Sequence, residues 1–155
     1  MSAIAEDIRR RTIEMLFEER CSCVVRSADG RCHVLRQRGI RDLHDLLHDG
    51  RRVLDGAFVA DKVVGKGAAA LMIAGGVEEF FADVVSREAL ELAERYNLKF
   101  KYNTLTEQII NRAGTGRCPV ETLCSGLRGV EECLAKIDEF IEKQKRNEQP
   151  DENSR

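Results

Sequence analysis

The chain has 155 residues, 43% hydrophobic and 34% charged, with a net charge of −2. That is one domain's worth of sequence with enough apolar mass for a core, which excludes a wholly disordered chain. The balanced charge excludes a global basic field for nonspecific nucleic-acid binding.

No apolar stretch approaches a membrane span, and Met1 to Arg11 is charged and periodic, without a signal-peptide core. The reading is a soluble, cytoplasmic protein with neither nucleic acid nor membrane as partner; a homo-oligomer is compatible with it. The six cysteines, at 21, 23, 32, 118, 124 and 133, form no CxxC pair. They read as reduced, mostly buried small residues.

In chain order, 3–19 carries Ile4, Ile8, Met15 and Leu16 at helical spacing behind Ser2 as N-cap. Residues 21–26 and 31–37 read as strands joined by the hairpin turn Asp29-Gly30. A short amphipathic helix with Ile40, Leu43, Leu46 and Leu47 ends at Gly50. Ala57 to Ala60 is a short strand buried on both faces, followed by Asp61 and a Gly/Ala-rich helix over 62–74 whose small side chains imply close packing. Phe80 to Val85 is the next strand, and Ser86 caps a helix over 87–96 that ends at Asn97.

Leu98, Phe100 and Tyr102 alternate with Lys99, Lys101 and Asn103, an edge strand guarded by lysines. Thr104 with Glu107 reads as a capping box opening a helix to Asn111. The loop 112–117 leads to a helix over 119–127 with Pro119 at its first position, then a final helix over 130–146. Residues 1–146 form a single domain and 147–155 a polar tail. Crossover helices make the last three strands parallel, which predicts an α/β fold: a three-layer α/β/α sandwich on a mixed five-stranded sheet. Ligands then bind beyond the carboxyl ends of the parallel strands.

Two segments, Ala60 to Ala70 (ADKVVGKGAAA) and Asn111 to Glu121 (NRAGTGRCPVE), with Arg38-Gly39-Ile40, resemble an uncharacterised prokaryotic domain family assigned to the cytidine-deaminase-like fold. The likeness covers about 14–145 and implies that fold. Zinc deaminases need H-x-E after the third strand and P-C-x-x-C on the next helix. Here those places read Asp61-Lys62-Val63 and Ser86-Arg87-Glu88, so zinc-hydroxide deamination and a tightly held zinc are not expected.

The candidate site follows from position. Asp61 stands where a strand becomes a helix and is either a helix N-cap, a ligand group, or both. Lys62 and Lys66, four apart on one helix face beside free N–H groups, invite an anion such as phosphate. Gly65-Lys66 lacks the glycine and hydroxyl positions of a P-loop.

Asn111, Arg112, Gly114, Thr115 and Gly116 form a loop whose glycines admit a ligand to the backbone, with Arg112 and Arg117 at its flanks. Cys118, with Pro119 at N1, becomes a helix N-cap, a position that stabilises a thiolate; it is the candidate nucleophile, with Asp61 as a second catalytic candidate. Glu121 falls at N3 of the same helix, a capping-box position. His44 and His48, four apart beside Asp45 and Asp49, read as a solvated face, with a surface metal pair as the lesser alternative; the arginines from Arg20 to Arg52 read as scattered surface charge, with a weak anionic-partner face as the lesser alternative.

The functional expectation is binding of a small anionic ligand, a nucleotide or phosphorylated metabolite, with no cofactor and no metal ligand assigned. Catalysis through Cys118 stays open. The alternative is a non-catalytic sensor or interaction module on the same fold.

Overall fold

The computed structural model describes residues 4–37, 40–109 and 118–148. Helix α1 (Glu6–Glu18) opens the chain, with Glu6 and Asp7 in its first turn complementing the helix dipole. Its cap residue is Ala5, in extended conformation; Ser2, the expected cap, lies outside the described residues. Strands β1 (Cys23–Arg26) and β2 (Cys32–Leu35) form the antiparallel hairpin, with Gly30 at positive φ in the turn. Helix α2 (Arg41–His48) buries Leu43 and Leu46.

Strand β3 (Phe58–Val64) pairs antiparallel with β1 and parallel with β4 (Glu79–Ser86), which pairs parallel with β5 (Lys99–Thr106). Helices α3 (Lys66–Gly75) and α4 (Arg87–Arg95) are the crossovers between them. The sheet order is β2-β1-β3-β4-β5, so the last three strands are parallel, as the strand–helix alternation predicts. Two crossovers of one hand, stepping in one direction, put α3 and α4 on the same face, and the two helices pack together. Helices α5 (Pro119–Cys124) and α6 (Val130–Glu148) pack over α3.

The strands alternate between two apolar clusters. Val24, Phe58, Ala60 and Phe81 meet Leu16 of α1 on one face. Val25, Val59, Phe80 and Ala82 join the larger core on the other, with Ala69 to Met72 of α3 and Cys133, Ile137 and Ile141 of α6. A bidentate pair from Arg9 on α1 to Glu79 at the start of β4, 2.7 and 2.9 Å, ties the lone helix to the sheet. Small residues let α3 approach closely: a Cβ on Gly67 would stand 2.4 Å from Val120 of α5.

Three sequence expectations need correction. Residues 61–64 belong to β3, because they continue its ladder with β4 (Asp61↔Ala82, Val63↔Val84, Val64↔Val85), and α3 begins only at Lys66. Thr104 is a strand residue paired with Val84, so it opens no helix with Glu107, and no helix occupies 107–109. The helix expected over 119–127 ends at Cys124. Ser86 does cap α4, accepting from the Ala89 amide at 3.1 Å, and Asn97 closes it at φ 60°. No helix among the described residues is long and apolar enough to cross a membrane.

Candidate functional site

A cleft of about 1270 Å³ opens beside the carboxyl-terminal half of β3. Its walls come from the link between α1 and β1 (Arg20, Cys21, Ser22), the residues after β2 (Arg36, Gln37), the start of α2 (Ile40, Arg41), β3 (Asp61, Lys62, Val63), the start of α3 (Gly65, Gly67, Ala68), the start of α5 (Cys118 to Glu121) and α6 (Phe140, Gln144, Glu148). Ile109 and Cys118 both line it, and the Cys118 amide donates to the Ile109 carbonyl at 2.7 Å. Ile109 and Cys118 are therefore pinned together at the cleft wall.

Four cationic residues, Arg20, Arg36, Arg41 and Lys62, line it. Arg41 binds both carboxylate oxygens of Glu148, at 2.6 and 2.7 Å. Arg36 donates to the Arg20 carbonyl at 2.7 Å and stands 3.6 Å from Glu19. Arg20 and Lys62 have no carboxylate partner among the described residues. Arg41 Nε and Gln144 Oε1 are buried in the wall without a hydrogen-bond partner among the described residues.

Asp61 is 8% exposed at the cleft wall. It sits opposite Cys23 in the β1–β3 ladder and accepts from the Val63 amide at 3.1 Å. Burial raises its pKa from 3.8 to about 7, against the pull of hydrogen bonds from Val63, the Cys23 thiol and Lys62. Burial, and then the neighbouring Asp61, push the Cys23 thiol well above its ordinary value. Asp61 is thus no helix N-cap; it is a buried carboxyl poised to take or hold a proton near neutrality.

The N-terminus of α3 is already filled. Glu121, 1% exposed, reaches from α5 and accepts the Lys66 amide through Oε1, which also lies 3.3 Å from Ser86 Oγ at the start of α4. A Cβ on Gly65 would stand 2.6 Å from that oxygen, so glycine there makes room for the carboxylate. Glu121 therefore caps a neighbouring helix rather than its own, and an anion expected on the α3 amides would find a protein carboxylate in place.

Lys62 and Lys66 do not share a helix face. Lys62 lies in β3 and lines the cleft; Lys66 is 6% exposed, its Nζ donating to the Leu127 carbonyl and standing 3.7 Å from Glu88. Its ammonium holds the α5–α6 connection and does not line the cleft.

Cys118 is half-buried at the cleft wall, just before Pro119. No histidine lines the cleft among the described residues, so no imidazole base faces that thiol. Asn111, Arg112, Gly114, Thr115 and Gly116 lie outside the described residues. Arg20, Arg36 and Arg41 are the site residues that sequence reasoning missed. The signal was present as a positive segment between 20 and 52, but its convergence on one cleft depends on the fold.

The chain matches the model of a domain of unknown function, DUF1893, over residues 11–141, and it belongs to that family. A DUF1893 family protein from Thermotoga maritima has a solved structure similar to this one, with a TM-score of 0.81 at 24% identity over 89% of this chain and 92% of that one. At that identity the likeness is one of fold. No curated protein matches the chain.

Proposed function

We propose that this DUF1893 domain binds a small anionic ligand, a nucleotide or phosphorylated metabolite, in the cleft between β3, α2 and α5. The observation that carries the reading is the convergence of Arg20, Arg36, Arg41 and Lys62 on one cavity at the carboxyl end of a parallel strand. Of the carboxylates in the wall, Glu148 is paired with Arg41, Glu121 caps α3, and Asp61 prefers its neutral form below about pH 7. The remaining field is positive, and guanidinium forks suit phosphate oxygens. Gly114, Thr115, Gly116, Asn111 and Arg112 enter as further contacts, on the strength of the pinned ends at Ile109 and Cys118.

The cytidine-deaminase-like assignment stays part of this proposal. Its support is that the resemblance and the mixed five-stranded α/β sheet found here point to the same fold class. Zinc-dependent deamination is left out of it: α3 begins Lys66-Gly67-Ala68 and α4 begins Arg87-Glu88-Ala89, with none of the histidine or cysteine ligands that the deaminase motif places there. The lack of an imidazole beside Cys118 favours a binding or sensor module over thiol catalysis.

Calorimetric titration with sulfate, phosphate and a nucleotide panel tests the reading. Saturable binding is expected, weakened about tenfold or more in R20M and K62M, since charge-assisted contacts contribute roughly 1.5–3 kcal/mol each. Absence of saturable binding, or affinity unchanged in both variants, overturns it.

A further inference from the structure

His44 and His48 stand one turn apart on α2, and the structure brings Asp138 of α6 against both. Asp138 Oδ1 lies 2.8 Å from His44 Nε2 and 3.7 Å from His48 Nε2. The two rings pack edge to face with centroids 4.4 Å apart. One ligand atom from each of the three residues falls within 4.8 Å of the others. His44 is 9% exposed, and the Asp138 carboxylate is its side chain's polar partner. His48 and Asp138 are open to solvent.

From these residues we infer a divalent transition-metal site of the zinc, nickel or copper class, bridging α2 and α6 through His44, His48 and Asp138. Two imidazoles four residues apart chelate from one helix face, and imidazole with carboxylate is a donor set of borderline character that suits these ions over calcium or magnesium. Bond lengths of about 2.0–2.2 Å put tetrahedral ligand atoms roughly 3.3–3.6 Å apart; here the Asp138 oxygen stands 2.8 and 3.7 Å from the two imidazole nitrogens, and all three atoms lie within 4.8 Å. A small adjustment of the exposed Asp138 and His48 side chains suffices, while packing already fixes His44.

The surrounding charge is favourable. Asp45, Asp49 and Glu142 line the same depression, with Lys145 as its cation and Asp49 held by Arg51 at 2.8 Å. Three protein ligands leave coordination positions to water, so the ion would exchange on dialysis against a chelator, unlike an enclosed structural zinc. The depression shares no lining residue with the cationic cleft, so the two readings stand or fall separately.

Calorimetric titration of chelator-treated protein with Ni²⁺ decides it, with H48A and D138N as variants, because both side chains are exposed and their replacement spares the core. One saturable equivalent is expected in the wild type. Each variant should weaken it by at least the roughly tenfold that loss of an outer-shell partner costs. C32S/C118S and H33A should leave it unchanged. Absence of saturable binding, equal affinity in H48A, or loss of binding in C32S/C118S overturns the site.

Discussion

Glu121 of α5 and Lys66 of α3 meet backbone to side chain: the Lys66 amide, first in its helix, donates to a carboxylate 55 residues further along the chain. The same carboxylate lies 3.3 Å from Ser86 Oγ, so one buried side chain joins the starts of α3 and α4. The α3 N-terminus uses an anion supplied by the protein itself.

Removing that anion should be costly. Glu121→Ala strands the Lys66 amide and opens a cavity, and should lower stability by about 2–4 kcal/mol, more than an ordinary exposed cap because the carboxylate is buried. Glu121→Gln keeps an acceptor and should lose less. Denaturant midpoints at constant m-value measure both. A cost for Glu121→Ala within the ±0.5 kcal/mol typical of surface changes would count against the cap.

Lys66 and Lys62 should separate cleanly. Lys66→Met leaves the Leu127 carbonyl without its donor and should cost about 1–3 kcal/mol of stability, with sulfate affinity unchanged. Lys62→Met, on a partly exposed strand residue, should do the reverse. If Lys66→Met abolishes sulfate binding in protein that is still folded, the buried ammonium serves the ligand after all.

Much of the fold was legible because local patterns and tertiary pairing agreed. The Asp29-Gly30 turn, the Ser86 cap, the Asn97 stop and the alternating β5 all appear where spacing places them. Two of the failures share one cause: a short local motif lost to a ladder. Asp61-Lys62 interrupts an apolar run and looks like a helix start, yet pairing with β4 carries the strand on to Val64. Thr104 and Glu107 have capping-box spacing, yet Thr104 and Thr106 are held by Val84 and Ser86. The site was half legible. Asp61, Lys62 and Cys118 do line one cleft, but the arginines beside them and the meeting of His44 with Asp138, 94 residues apart, arise only when distant elements pack.

Asp61 sets a pH dependence of known sign. Its folded-state pKa, about 7, lies above the ordinary 3.8, so the native state binds the proton more tightly than the unfolded chain. The associated stability is full below about pH 4 and is lost as pH rises through 7. Asp61→Asn, neutral throughout, should match the wild type near pH 4 and exceed it at pH 8, by on the order of 4 kcal/mol at most. Sulfate, a dianion across this range, should bind more weakly as pH climbs past 7 and Asp61 ionises. Asp61→Asn should flatten that profile. A wild-type profile as flat as the variant's would remove Asp61 from the cleft's electrostatics.

The cysteines give the last test, and here the structure changes the expectation. From sequence, Cys118 alone stands out for early alkylation, at a helix start beside Arg117. The structure leaves Cys32 exposed on β2 and Cys118 half-buried in the cleft wall, while Cys21, Cys23, Cys124 and Cys133 are buried. Access controls thiol alkylation as much as thiolate character does, so two thiols should label in the native protein and four should wait for unfolding. Of the two accessible thiols, Cys118 shares the cleft with Arg20, Arg36, Arg41 and Lys62 and Cys32 does not, which makes Cys32 an internal control. Saturating sulfate should slow iodoacetate at Cys118 by filling the cationic cleft and repelling a second anion, and should leave Cys32 unchanged. Mass-spectrometric mapping at partial labelling reads both rates in one sample. Equal slowing at the two positions would mean bulk ionic screening. Labelling of Cys118 only after denaturation would make it a structural residue and end its candidacy as a nucleophile.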